Sequence, residues 1–333
     1  MAIRSVLSDP MLRMLAAATL LAAVLPATGS GRDIAQFVAN AAIFVLFLLN
    51  GLRIARADVV RGFGNWRFFG ALLLWVFGAM AAIGLGLSSL ANDLLPPMIA
   101  LGFLYLGVLP STVQSATSYT GLAGGTVALS VVSAAVLNIL GVFVAVPLFV
   151  ALGGSGEGAI GNAVLVKILT ILILPFALGQ IFQIRARSVV GHLKGTLVWV
   201  DRFVIAIAVY VAFSGAVEQG IWTRIDPAGW AITVGLVALF LIGGHLGAWW
   251  LGRTIGLPFA DRIAFMYAGA QKSAAVGAPL ATILFVPSVA GFIVVPLLLY
   301  HFLQLVIAAP LSTWLRLQHP RDADDCSAPT TRS

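Results

Sequence analysis

The chain has 333 residues, 60% of them hydrophobic and 9% charged, against about 45–50% apolar and roughly 25% charged in a soluble domain. A water-soluble globule is excluded. The net charge of +7 is no nucleic-acid footprint, because bases gathered in the short loops of a membrane chain report orientation. The single cysteine, Cys326, excludes a disulfide framework and a cysteine metal site. No Asp, Glu, Lys or Arg stands between Asp93 and Glu157 or between Lys272 and Arg316. One spanning helix takes about 20 apolar residues, so each gap holds two or more. The composition predicts an all-α polytopic membrane protein.

In chain order the apolar stretches predict ten spanning helices, near 11–29, 34–52, 67–90, 95–118, 126–152, 161–184, 197–217, 227–252, 258–283 and 287–315. Gly, Pro and charge clusters separate them, at Gly29 to Asp33, Arg53 to Arg67, Gly153 to Glu157, Arg185 to Lys194 and Gln219 to Asp226. The first span has signal-peptide character, with Arg4 and Arg13 around the start of an apolar LAAATLLAAVLPA run. It is read as a retained helix because ten spans suit the repeat described next. With a cytoplasmic N-terminus, 15 Lys and Arg lie inside and only Arg32, Lys167 and Arg224 outside, Lys272 standing within a span. That bias puts both termini in the cytoplasm, with the spans in the inner (plasma) membrane. Residues 317–333, rich in Asp and Thr, read as a disordered cytoplasmic tail.

The chain also echoes itself. Leu95-Pro96 and Phe103-Leu104-Tyr105-Leu106-Gly107 return 162 residues later as Leu257-Pro258 and Phe265-Met266-Tyr267-Ala268-Gly269. Phe37-Val38 with Phe47 returns as Phe203-Val204 with Phe213, and Asn138 with Pro147 as His301 with Pro310, at offsets of 166 and 163. A unit of five spans copied once must sit upside down relative to the original. Inverted repeats of this kind occur in secondary transporters. The predicted organisation is a first five-helix repeat over 1–156, a second, inverted repeat over 157–316, and the tail.

Polar residues gather at two interruptions. Span four carries Pro110 well inside, followed by Ser111, Thr112, Gln114, Ser115, Thr117, Ser118 and Thr120. Proline removes a backbone donor, and in hydrocarbon the freed carbonyls find partners only beside protein or a water-lined cavity. Span nine has a corresponding interruption, Gly269-Ala270-Gln271-Lys272-Ser273 and then Gly277-Ala278-Pro279. Interrupted helices in matching places of two halves point to a transporter's binding site. Half-helix N-termini suit an anion and C-termini a cation. Lys272 lies deep in a span, where three roles stay open: substrate counter-ion, fixed cation at a half-helix C-terminus, or proton carrier. The plain alternative is a lysine snorkelling from a shifted span end. His245 and His301 also fall within spans, where bonding between helices is their ordinary role. The predicted substrate site comprises Ser111, Thr112, Gln114, Ser115, Asn138, Gln271, Lys272, Ser273 and His301.

The segments GVLPSTVQSATSYTGLAGGTVALSV and AGAQKSAAVGAPLATILF resemble the bile acid:sodium symporter superfamily, and most closely its ten-span SBF-like branch. The resemblance runs from about residue 10 to 316. It implies a panel of spans 1, 2, 6 and 7 (about 11–52 plus 161–217) and a core of spans 3–5 and 8–10 (about 67–152 plus 227–315). It further implies that discontinuous helices 4 and 9 cross beside sodium sites. Carried over, the family's sodium ligands fall on Ser115 or Thr117, on Ser130 and on Gln271. A family Glu falls on Tyr267, a second hydroxyl on Ala134, and Lys272 follows the Gln. These departures remove a carboxylate and add an ammonium, so Lys272 is expected to occupy part of a lost sodium site, leaving transport coupled to protons or uncoupled.

The leading expectation is a secondary transporter, a symporter of a small organic anion, with Na+ or H+ as the possible coupling ion, no resident cofactor, substrate and membrane lipid as partners, no nucleic acid, and the oligomeric state open. Two other classes are weighed. One is a non-transporting regulator or sensor on a transporter fold. The other is an intramembrane serine hydrolase built on Gly153-Gly154-Ser155-Gly156 with His245 or His301 as base; the Gly-rich loop setting speaks against it. No Walker A sequence is present.

Overall fold

A computed structural model of the chain describes residues 10–53, 65–154 and 166–318, and among these every regular element is helical. We number the helices α1 (Pro10–Val24), α2 (Gly29–Arg53), α3 (Trp66–Asn92), α4 (Pro97–Val108), α5 (Gln114–Leu122) and α6 (Val127–Gly154). Then come α7 (Leu174–His192, entered through a π-helical turn at Ile168–Ile173), α8 (Lys194–Glu218), the single turn α9 (Ile221–Arg224) and α10 (Pro227–Thr254). The last are α11 (Phe259–Ala270), α12 (Ala274–Leu284) and α13 (Pro287–Gln318). Seven of these segments are long and apolar enough to cross a membrane: α2, α3, α6, α7 with its entry turn, α8, α10 and α13. The chain is an integral, multi-pass membrane protein. The tail beyond 318, Ser155 and Gly156 of the glycine-rich loop, and the 156/157 repeat boundary lie outside the described residues.

Three sequence expectations change, the first being Gly29 to Asp33, expected to separate the first two spans but forming the opening turn of α2. The basic stretch Arg185 to Lys194, expected as a loop, is helical up to His192, and only Leu193 separates α7 from α8. Arg, Gln, Ala and Val favour or tolerate helix, so the α-helix continues until Gly191 and His192. Pro279, expected to belong to the interruption of span nine, lies inside α12 instead.

The helices pack in two groups. In the first, α1 and α2 lie against α8, and α7 lies along α2. In the second, α3 packs on α4, α4 on α13, and α10 on α11 and α13. α8 joins the groups by touching α12 and α13. Large apolar side chains such as Leu74, Leu239, Leu246 and Trp250 face outward, as a chain solvated by lipid requires.

Close crossings rest on glycine, since hydrocarbon supplies no hydrophobic force between helices and backbone approach must hold them. A Cβ on Gly84 would lie 2.7 Å from the Phe103 carbonyl oxygen and 2.8 Å from the Gly107 Cα. Gly86, on another face of α3, has open space around it. Gly84→Val is therefore expected to force α3 from α4 and cost about 1–3 kcal/mol, read as a lower melting temperature of the purified protein. Gly86→Val should leave that temperature nearly unchanged.

Candidate functional site

Both interruptions begin in the same way. α4 and α11 are each 12 residues long, each follows a proline N-cap (Pro96, Pro258), and each ends on an extended residue. That residue is Leu109 with φ −70°, ψ 146° in the first case and Gln271 with φ −74°, ψ 145° in the second. Residues 109–113 then separate α4 from α5, and 271–273 separate α11 from α12. At the first break Pro110 cannot continue the hydrogen-bond ladder. Gly141 on α6 makes room for its ring, since a Cβ there would lie 2.6 Å from Pro110 Cγ. At the second break no proline acts. The side-chain amide of Gln304 holds the Lys272 backbone open, accepting from its N–H at 2.9 Å and donating to its carbonyl at 3.1 Å.

The two breaks satisfy each other. The Ser273 N–H donates to the Pro110 carbonyl at 3.0 Å. The Lys272 ammonium, fully buried, donates to the carbonyls of Gly107 and Leu109, both at 2.8 Å. It thus sits on the negative end of α4. Tyr300 caps the equivalent end of α11, its hydroxyl donating to the Ala270 carbonyl at 2.5 Å. Tyr105 donates to the Gly277 carbonyl at 2.6 Å. Beside them Gln271 Oε1 accepts from Thr112 Oγ1 at 2.8 Å and Ser115 Oγ at 2.6 Å. The second half-helices are capped at their starts: Thr112 Oγ1 accepts the Ala116 N–H and Ser273 Oγ the Val276 N–H, both at 3.2 Å.

A cavity of about 670 Å³ opens against this crossing. Its polar wall is Thr112, Gln114, Ser115, Thr117, Asn138, Ser273 and His301, and its opposite wall comes from Leu46 and Phe47 of α2, Phe176 of α7 and Ile205 of α8. Six of the nine substrate-site residues expected from sequence therefore share it: Thr112, Gln114, Ser115, Asn138, Ser273 and His301. Ser111, Gln271 and Lys272 are buried behind that wall. The contacts place the Lys272 side chain at a half-helix C-terminus, and its burial excludes the snorkelling alternative.

Asn138 links α6 to the first break by donating to the Ser111 carbonyl at 3.2 Å. His301 Nδ1 lies 2.9 Å from Gln304 Nε2. His245 stays on its own helix, bonded to the Leu241 carbonyl at 2.9 Å. The four residues expected to hold sodium fall into two hydrogen-bonded groups. Ser115 and Gln271 form one with Thr112, while in the other Ser130 Oγ accepts from Thr120 Oγ1 and donates to Thr117 Oγ1, both at 3.4 Å. Sequence reasoning missed Tyr105 and Tyr300, whose hydroxyls resolve carbonyls at the breaks, and the charged residues Arg53, Asp201 and Arg202 at the cavity edge. No local signal marks the tyrosines. Arg53 and Arg202 were visible only as orientation charges.

Paired interrupted helices around a polar cavity define the class: a membrane transporter. Residues 9–317 match the profile of the SBF-like CPA transporter family, and the chain belongs to that family. It is 35% identical over 316 residues to the Escherichia coli protein named "Putative symporter YfeH", covering 91% of this chain and 92% of that protein. It is also 35% identical over 331 residues to "Uncharacterized protein PA2026" of Pseudomonas aeruginosa, covering 97% and 96%. A more distant relative is "Sodium/bile acid cotransporter 7" of Danio rerio, 23% identical over 283 residues, covering 82% of this chain and 84% of that one. The family is one of transporters and not of enzymes.

Replacing Lys272 tests the crossing directly. Lys272→Met fills similar space but strands the Gly107 and Leu109 carbonyls, at about 1–3 kcal/mol for each buried unsatisfied group. A clearly lower melting temperature in sodium-free buffer is expected.

Proposed function

We propose that the chain is a secondary-active transporter, a symporter of a small organic anion, that binds its substrate in the 670 Å³ cavity and moves the second helix group against the first to expose it alternately. The observation that carries this reading is the cavity itself. One wall is the interlocked crossing, the other belongs to α2, α7 and α8, and any sliding between the groups would carry a bound molecule with it. The amide ends of α5 and α12 beside the cavity favour an anion. The matching lengths of α4 and α11, at an offset of 162, support two inverted repeats, 1–156 and 157–316. In that organisation α1 and the paired half-helices also cross, giving ten spans, with panel 11–52 plus 161–217 and core 67–152 plus 227–315. The concentration of basic residues in alternate loops supports an inner-membrane location with both termini in the cytoplasm.

The Lys272 side chain donates to the carbonyls at the C-terminal end of α4, where a mobile cation would otherwise serve. We infer that substrate movement does not require sodium and is coupled to protons or uncoupled. The test is a thermal-shift screen of purified protein against organic anions, bile acids included, in sodium and in potassium buffers. Ligand binding to the folded form raises the melting temperature. At least one anion is expected to stabilise the wild-type protein equally in both salts, and Asn138→Leu with Ser115→Ala should remove that shift. A shift that requires sodium would overturn the coupling inference. No shift with any anion would overturn the substrate class.

A further inference from the structure

The cavity carries charge that the crossing does not use. Three charged side chains line its edge on α2 and α8: Arg53, Asp201 and Arg202. Arg53 and Asp201 form a two-point pair, Nη1 to Oδ2 at 2.5 Å and Nη2 to Oδ1 at 2.8 Å. The pair ties the end of α2 to the first turns of α8 and is neutral as a unit. Bidentate pairing also fixes both side chains, so Arg53 is not available to a third group.

Arg202 differs. It follows Asp201 directly, lines the same cavity, and has no ion-pair partner among the described residues. Its guanidinium carbon stands 4.9 Å from the centroid of the Trp199 ring, and its Nε is buried without a hydrogen-bond partner. Stacking on an aromatic face orients a guanidinium while leaving its N–H edge for an oxyanion. Besides Arg53, the other basic residue among the described lining residues is His301, which lies on the crossing side against Gln304. Among the described lining residues, Arg202 is thus the one guanidinium not held by a carboxylate, on the wall formed by α2, α7 and α8. The apolar surfaces of Leu46, Phe47, Phe176 and Ile205 share that wall.

We propose that Arg202 is the acid-group subsite of the cavity. It takes the carboxylate or sulfonate of an amphipathic organic anion whose apolar body lies on Leu46, Phe47 and Phe176 and whose polar groups meet Thr112, Ser115 and Asn138. Asp201 keeps Arg53 from competing for the same acid group, so the cavity selects one negative charge. This rests on the cavity being the substrate site, and it assigns the acid to Arg202 rather than to the half-helix amides.

The probes are cholate and its uncharged methyl ester, measured by equilibrium binding to the full-length chain in lipid nanodiscs. Arg202→Gln is expected to weaken cholate by about tenfold or more, the loss of a charge-assisted contact, and to leave the methyl ester unchanged. Arg202→Lys should fall between. Equal losses of both probes, no loss of either, or a wild-type chain that binds the two alike would overturn the assignment. If the wild-type chain binds neither probe, cholate is not a ligand of the cavity, and reactivity decides the subsite. Phenylglyoxal should then modify Arg202 faster than Arg53, with benzenesulfonate slowing the reaction at Arg202. Equal rates or absent protection would overturn the subsite.

Discussion

A backbone polar group inside hydrocarbon must find its partner within the protein, and two helix interruptions at membrane depth are permitted only because each supplies what the other lacks. Ser273 donates to Pro110, Lys272 reaches back to Gly107 and Leu109, and Gln304 replaces the helical partners of the Lys272 backbone. Neither break has this set of partners alone. The crossing is therefore a single unit, and the helices around it are shaped to admit it. Gly141 clears the Pro110 ring, and Gly84 lets Gly107 approach α3 closely.

That arrangement divides the cations of the molecule by task. Lys272 is fully buried and donates to two carbonyls at the end of α4. Arg53 is held by Asp201, and Arg32 pairs with Glu218, so the antiparallel helices α2 and α8 are tied near both ends. Those ties stiffen the group that faces the crossing across the cavity. α8 also touches α12 and α13, so it is one of the elements that join the two groups.

Much of this was readable before any coordinates. Charge-free stretches of the length of one or more spans required membrane helices. Pro110 in an apolar span required a break. The offset of 162 residues placed a second break near Lys272, and the hydroxyls after Pro110 marked the polar side of the cavity. The reading failed where local signals mislead. Pro279 is a helix breaker in water, yet it sits within α12, where tertiary packing overrides propensity. The Arg185 to Lys194 stretch looked like a loop because its charges suggest solvent, and charged residues extend a helix beyond the membrane equally well.

Sequence alone settled the solvent, the rough place of the long apolar segments, and the residues that hydrocarbon would not tolerate without partners, because hydropathy and proline act locally. It could not decide which partner each residue takes. Lys272 faced three roles of equal merit in one dimension, and only the approach of α11 to the end of α4 brought its ammonium to two carbonyls. Likewise Arg53 and Arg202 were interchangeable orientation charges until the packing of α2 on α8 paired one with Asp201 and left the other beside Trp199. Contacts between residues more than a hundred positions apart depend on how helices cross, and that is a property of the folded whole.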